Sequence, residues 1–407
     1  MRGIEIDKRA LEGLRVVLFG TIWAGPATAA TMADFGAEVI RVESRRYLDT
    51  YRFLMSPDRT NPERGPFFHT INRNTLSVTL DLSQPRARGL AKALIKISDV
   101  VVENQSPRVM KAWDLDYPVL KEVNPALIIA SLSGFGQTGP LANDVAYGPT
   151  LSSLSGLDGL VGYFGGPPLG IHRAYNDLAA AMAALFAILV ALRHRARTGE
   201  GQYIDVSLGE AGVALMGREI MDYTINGRSA VPQGNRHPSI APHGYYPCKG
   251  EDTWITIACG TEEEWKALCR ATQNPQWIDD DRFSGNDTRL KHQDELNGLI
   301  GEWTVNYTPT EAMEILQKIG VAAVPCHDVA TLFADRHALE EGYFIPLPHP
   351  AESDDFIYNN PWRLSQTPPE IHRHAPLLGE HNKYVLCELC GIPEEEVDCL
   401  VQEKIVY

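Results

Sequence analysis

Leu14–Glu43 reads LRVVLFGTIWAGPATAATMADFGAEVIRVE. LRVVLFG (Leu14–Gly20) is a β-branched, apolar run of the kind a strand buried on both faces requires. GPATAATMADFG (Gly25–Gly36) follows at helical composition with a glycine stop, and AEVIRVE (Ala37–Glu43) is a second strand. Strand, helix, strand in that order predicts a parallel βαβ unit.

The pattern continues outward from this unit. LSVTLDL reads as a strand, QPRARGLAKALIKIS as a helix and DVVVEN as a strand; a helix near Arg108 comes before the strand ALIIASLSG. Such alternation predicts a doubly wound, Rossmann-like parallel sheet. The alanine-rich run Leu178–Leu192, 15 residues long, falls short of a bilayer span and is expected to be a buried core helix. RTGEGQYIDVSLGEAGVAL then gives a turn, a strand and a helix. NGRSAVPQGNRHPSIAPHG (Asn226–Gly244) reads as a linker or lid. Beyond it, the strand TWITIAC and helices near Glu262 and Thr310 predict a second compact α/β region. From about Asp335 the chain is proline-rich (FIPLPHPAESDD) and ends in an amphipathic helical tail.

At 407 residues the chain is too long for one core and predicts about two domains. Lys plus Arg is 37 against 52 Asp plus Glu, and the net charge of -15 argues against a nucleic-acid or anionic-membrane surface. The opening MRGIEIDKRALEGLR lacks the apolar run of an export signal, and all seven cysteines, at or after Cys248, suit a reduced cytoplasmic setting. Cys387 and Cys390 form an isolated CxxC, read as two buried helix positions rather than a zinc site. The 12 histidines show no metal-ligand spacing, so no metal is expected. No GxSxG elbow or Walker loop occurs.

Gly134, Gly136 and Gly139 spell GxGxxG after a strand, and Glu43 ends the second strand where a ribose ligand would stand. Pro140 and Pro149 argue against the helix a dinucleotide site needs, and the Gly20–Gly25 turn lacks the fingerprint spacing.

Five segments in order, GLRVVLFGTIWAGPATAATMADFGAEVIRVE, SVTLDLSQPRARGLAKALIKISDVVVEN, NPALIIASLSGFGQTGP, HRARTGEGQYIDVSLGEA and APLLGEH, resemble the class III (family III) CoA-transferases. The resemblance implies a large Rossmann-like domain from both ends of the chain (1–225 and 331–407), a smaller domain at 226–330, and two chains interlocked as rings. It also implies CoA transfer from an acyl-CoA to a free carboxylic acid through a carboxylate nucleophile that becomes an anhydride and then a CoA thioester. The CoA thioester is then a substrate, with no permanently bound cofactor.

In the family pattern the nucleophile is an Asp following a Tyr or His, with Ser-Gly closing the motif. Here AYGPTLSSLSG (Ala146–Gly156) keeps Tyr147 and Ser155-Gly156 but has Gly148 where the aspartate belongs. Asp144 is the nearest fallback carboxylate, and Asp158 lies further on. Asn74-Thr75-Leu76, Ala112 and Trp113 also replace residues common in the family, so weak CoA binding is expected, with Arg73, Arg108 or Lys111 as compensating cations. The resemblance nominates Thr21, Ile22, Trp23, Ala24, Arg73, Asn74, Asn104, Gln105, Arg108, Gly134 and Gly136 for CoA contact.

These departures predict a non-catalytic subunit whose homologous, Asp-bearing partner supplies the nucleophile in an interlocked heterodimer or heterotetramer. Among such pairs the chain looks most like the nucleophile-free subunit of a succinyl-CoA:benzylsuccinate CoA-transferase of anaerobic toluene degradation. The alternatives are an active transferase using Asp144 or a locally shifted alignment of the motif, or a related acyl-CoA racemase or isomerase, for which Tyr147-Gly148 supplies no acid/base pair.

Overall fold

A computed structural model describes residues 9–56, 58–171, 173–352 and 355–407. The opening residues 1–8, read above for an export signal, and residues 353–354 of the proline-rich stretch lie outside the described residues.

Six strands, β1 (Arg15–Phe19), β2 (Glu38–Glu43), β3 (Leu76–Thr79), β4 (Val100–Glu103), β5 (Ile128–Ser133) and β6 (Tyr203–Ser207), form one sheet in the order β3-β2-β1-β4-β5-β6. Every pairing in it is parallel, so the chain has the α/β architecture its alternation predicts. Val16, Val17 and Leu18 of β1, like Val100–Val102 of β4, have no exposed surface, because helices cover both faces. The helices Ala24–Asp34 and Tyr175–Thr198 pack on one face through Ala29, Met32, Ala180, Ala184 and Ile188. The helix Pro85–Lys96 and the C-terminal residues Val385, Leu386, Val397 and Leu400 pack on the other.

A buried ionic knot is built on Glu43, the last residue of β2, and Ser77 within β3. Glu43 accepts from Arg52 Nη2 at 2.7 Å and from Ser77 Oγ at 2.8 Å, and Arg52 also donates to Glu63 at 2.8 Å. The Arg52 guanidinium is 3.7 Å from the centroid of the Phe68 ring, so its charge is held by carboxylates on its edge and an aromatic face.

The chain divides into two compact units. The first comprises residues up to Leu157, Ile171–Gly227 and Gly342–Tyr407; the second comprises Asp158–Gly170 and Arg228–Glu341. The middle unit thus takes in Asp158–Gly170 and continues to Glu341, past the boundary at 330 that the resemblance implied. Its strands β7 (His243–Pro247), β8 (Trp254–Ala258) and β9 (Ala322–Cys326) form an antiparallel sheet, with a core of Ile255, Ile257, Trp265 and Phe283. In the first unit, β10 (Phe344–Pro346) and β11 (Phe356–Tyr358) make a separate antiparallel pair.

The fold departs from the sequence-based expectation at one helix and at one cysteine pair. The alanine-rich helix spans Tyr175–Thr198, 24 residues, and by length and composition it could cross a membrane. Only one face is core: Ala180, Ala181, Ala184, Ile188 and Ala191 are fully buried, whereas Leu178, Met182, Phe186, Leu189 and Val190 are exposed. Cys387 and Cys390 are half-buried rather than buried, in or next to the π-helix Tyr384–Leu389; all seven cysteines are free.

Candidate active site

In a sheet of this order the strands reverse direction of progression between β1 and β4, which leaves a crevice beyond their C-terminal ends. The turn after β1 is tied to the end of β4. Asn104 Oδ1 accepts from Thr21 N at 2.9 Å, Asn104 Nδ2 donates to Thr21 O at 2.8 Å, and Gln105 Nε2 donates to Phe19 O at 3.0 Å. Gly25 is required in this clamp: a Cβ there would stand 2.8 Å from Asn104 Oδ1. Ile22 adopts φ +65°, a left-handed conformation that costs a β-branched residue about 1–3 kcal/mol. Its N–H donates to Asp49 at 3.1 Å, and Asp49 is held by Arg41 Nη2 at 2.5 Å, so a buried ion pair fixes the strained turn.

A cavity of about 530 Å³ opens above this turn. Thr21, Ile22, Asn104 and Gln105 form one wall, Ser133 and Gly134 another, and Asp144–Pro149 with Asp177 a third. Among the described residues lining it there is no Lys, Arg or His. Tyr147 is 63 % exposed, and its N–H donates to Thr150 Oγ1 at 2.9 Å, which starts the short helix Gly148–Leu154.

Gly148 is the first residue of that helix, and its φ is not in the left-handed region, so the backbone does not demand glycine there. Space is tight there rather than closed: a Cβ on Gly148 would lie 3.0 Å from Asp177 Oδ2, the end of a side chain that can give way, and 3.5 Å from Ala174 Cβ. Asp177 stands in the first turn of the Tyr175–Thr198 helix, 8 % exposed, and its neighbour Asn176 pins that turn by donating to Leu208 O at 3.0 Å. Burial pushes the Asp177 carboxyl up to about 6. Tyr51, across the cavity, is raised to about 12 by burial first and then by Asp177 and Asp49.

The structure brings together Thr21, Ile22, Asn104, Gln105, Gly134, Asp144 and Gly148 of the residues the sequence nominated. Others go elsewhere. Trp23 caps the following helix with its ring against Tyr51 and Phe67, and Ala24 is core. Arg73 is not a free cation: it is buried against Asp34 at 2.7 Å, with Tyr358 also accepting from it. Asn74 joins the same knot, donating to Asp34 at 2.8 Å and accepting from His372 N and Arg373 N. Arg108 is exposed on the helix Pro107–Ala112 and Gly136 lies beside Asp205; neither lines the cavity. After Gly134–Gly139 come turns, with no helix until Gly148, so the GxGxxG spelling does not build a dinucleotide site. Asp177, Tyr51 and Ser133 were missed; an acid in the first turn of a helix is ordinary sequence, and only the fold aims this one at Gly148.

A family model, CoA-transferase family III, matches residues 11–382. A succinyl-CoA–D-citramalate CoA-transferase of Chloroflexus aurantiacus is 32 % identical, over 98 % of each chain. A succinate–glutarate CoA-transferase of Agrobacterium fabrum is 33 % identical, over 94 % of this chain and 96 % of its own. The alpha subunit of a succinyl-CoA–L-malate CoA-transferase of Chloroflexus aurantiacus is 32 % identical over 99 % of this chain and 94 % of its own. The beta subunit of such an enzyme is 30 % identical over 97 % and 98 %. Among solved structures, a CAIB/BAIF family protein from Brucella suis superposes with a TM-score of 0.86 at 32 % identity, covering 94 % of this chain and 100 % of that one.

Proposed function

The chain belongs to CoA-transferase family III, and on that premise we propose that it takes part in moving CoA from succinyl-CoA to a second dicarboxylic acid. The observation that carries this is the cavity at the crevice between β1 and β4, with the buried Asp177 on its wall as the carboxylate placed to attack the thioester and take up the acyl group and then CoA. Such a cavity suits the uncharged thioester and pantetheine end of an acyl-CoA. The CoA phosphates would be repelled by Asp144 and Asp177 and belong outside it, and the acid's far carboxylate, under the same repulsion, belongs at its mouth. The acids named for the three relatives, citramalate, glutarate and malate, are all dicarboxylic, which supports that acceptor class. Benzylsuccinate, a succinate bearing an aromatic group, falls in the same class, and the apolar Ile22, Leu132, Leu151 and Leu208 of the lining accord with a substituted acid.

Gly148 favours a second reading, in which the chain is a dependent subunit and an Asp-bearing homologue supplies the nucleophile in an interlocked heterodimer or heterotetramer. The relatives that work as alpha and beta subunits support it. So do the apolar Phe186 and Val190 exposed on one face of the long helix, with Met221, Tyr223 and Ile225 on the helix Gly217–Asn226. The free cysteines accord with a cytoplasmic setting for either reading.

The test is a transfer assay on the purified chain with succinyl-CoA against citramalate, glutarate, malate, mesaconate and benzylsuccinate. New acyl-CoA from at least one acid is the expected result. No product from any of them, with the chain alone or co-purified with its native partner, overturns the proposal.

A further inference from the structure

We propose that the Tyr51 hydroxyl is a further catalytic group of this site, donating a hydrogen bond to the carbonyl oxygen of the bound thioester as Asp177 attacks its carbon. The inference rests on the CoA-transfer reading, with Asp177 as the attacking carboxylate, and deepens it.

Three observations of geometry carry it. First, Tyr51 is held from both sides along the chain. It sits in the short 3-10 helix Thr50–Arg52 between two buried charges. Asp49 accepts from Tyr51 N at 2.9 Å and is paired with Arg41 at 2.5 Å, while Arg52 is paired with Glu43 at 2.7 Å. The ring is held as well, its centroid 6.2 Å from that of Trp23 and 5.4 Å from that of Phe67. A side chain so placed presents its hydroxyl with little reorganisation when the reaction occurs. Second, Tyr51 lines the cavity, and among the described residues its hydroxyl makes no hydrogen bond. The amides of the facing wall are already engaged: Asn104 Nδ2 donates to Thr21 O and Gln105 Nε2 to Phe19 O. Tyr147, the other tyrosine of the lining, is largely exposed. Third, Asp177 acts on Tyr51 through its charge, yet no hydrogen bond joins the two, so a space lies between carboxylate and hydroxyl on the walls of one cavity. A carbonyl group placed in that space turns its carbon to one and its oxygen to the other.

The cavity leaves this role to a neutral donor. No Lys, Arg or His stands among its described lining residues, so negative charge developing on the thioester oxygen meets no cation there. Burial, then Asp177 and Asp49, raise the phenol to about 12, which keeps its proton in place at neutral pH. In the step itself an Asp177 oxygen forms a bond to the thioester carbon, and the carbonyl π pair moves onto the oxygen that Tyr51 holds. That pair re-forms the carbonyl as the C–S bond breaks, giving a mixed anhydride and CoA thiolate. No proton leaves Tyr51. Thiolate attack on the acyl carbon of the second acid's anhydride passes through the same tetrahedral arrangement and uses the same donor.

The test compares the unaltered chain with Tyr51→Phe, each in the assembly in which it is isolated. The variant keeps the ring and removes only the hydroxyl. The rate of CoA adduct formation with succinyl-CoA is read from the intact mass of this chain, and kcat and KM from product formed with the acid panel. Tyr51→Phe is expected to form the same adduct about a hundredfold or more slowly and to lose kcat by a similar factor, with KM for succinyl-CoA changed less than about threefold and an unaltered thermal melt. A structural role for the ring would leave both rates unmoved, because phenylalanine packs in the same place. A folded Tyr51→Phe within about threefold of the unaltered rates, or one whose loss lies in KM alone, overturns the assignment. Failure of the CoA-transfer reading shows in the unaltered chain, as neither adduct nor product, and removes both claims; failure of the Tyr51 assignment shows only as equal rates in the two chains. An adduct slowed in Tyr51→Phe without product from any acid upholds Tyr51 and removes the acceptor class.

Discussion

The Asp177 carboxylate stands 3.0 Å from where a side chain on Gly148 would begin. The sequence contains a gap in a motif; the fold sets a carboxylate from a different helix against that gap. Gly148→Asp therefore does not simply restore a missing group. It is expected to set two carboxylates against each other and lower turnover at least about tenfold. Gly148→Ala, which needs only a few tenths of an ångström of movement, should be milder. Steady-state kinetics on both variants check this, and a gain of activity in Gly148→Asp contradicts it.

Asp177 has to be ionised to attack, and burial holds it at about 6. The kcat/KM profile should therefore rise with pH through about 6 rather than about 4. Tyr51 faces the same cavity and stays neutral across this range, while Asp49 and Asp144 are the other acids near it. For stability the sign is opposite. A carboxyl raised above 3.8 by folding favours the native state most fully below 3.8, and that contribution is lost as pH rises through about 6.

Glu43 behaves in the other sense. Burial alone would raise its pKa, but Arg52 and then Arg41 override it and hold the carboxyl at about 2. Its contribution is present above 4.5 and lost as pH falls towards 2. Glu43→Gln leaves two buried guanidinium groups short of a counter-charge and is expected to cost about 3–5 kcal/mol in urea unfolding. A loss below about 1 kcal/mol contradicts the ionic knot as a structural unit.

Asn104→Ala removes both hydrogen bonds that hold Thr21 to the end of β4. At about 0.5–1.5 kcal/mol each, the loss in stability is about 1–3 kcal/mol. The freed turn at Ile22 should raise KM for succinyl-CoA more than it lowers kcat, because it shapes the binding wall and not the attacking group. An unchanged KM would remove the turn from the binding site.

Phe186 is 71 % exposed on the long helix, among other apolar side chains. Phe186→Glu is expected to reduce the assembly mass measured by light scattering while leaving the thermal melt of the isolated chain nearly unchanged. An assembly of unaltered mass contradicts the use of this face by a second chain.

The strand runs were legible because strands covered on both sides have to be continuously apolar, as Val16–Leu18 and Val100–Val102 are. Asn104 and Gln105 could be located for a related reason: a residue just past a parallel strand falls in the crevice by topology alone. Arg73 misled, since a basic residue near a strand suggests a phosphate partner. Its charge is spent inside the fold on Asp34, which the sequence had hidden in an alanine-rich helix. The exposed face of the Tyr175–Thr198 helix was also hidden, because hydrophobicity all round cannot distinguish burial in one's own core from burial against another chain. Asp177 was invisible for want of the loop path that brings it to Gly148.

The most direct measurement is borohydride trapping. The unaltered chain is mixed with succinyl-CoA, reduced and digested with trypsin, and the peptide Ala174–Arg193 is sequenced by mass spectrometry; cleavage at Arg173 separates it from the peptide carrying Asp144. Residue 177 is expected to be recovered as homoserine, the product of reducing a thioester on its side chain. Homoserine recovered at 144, or an unmodified digest from a chain that turns over, would contradict it.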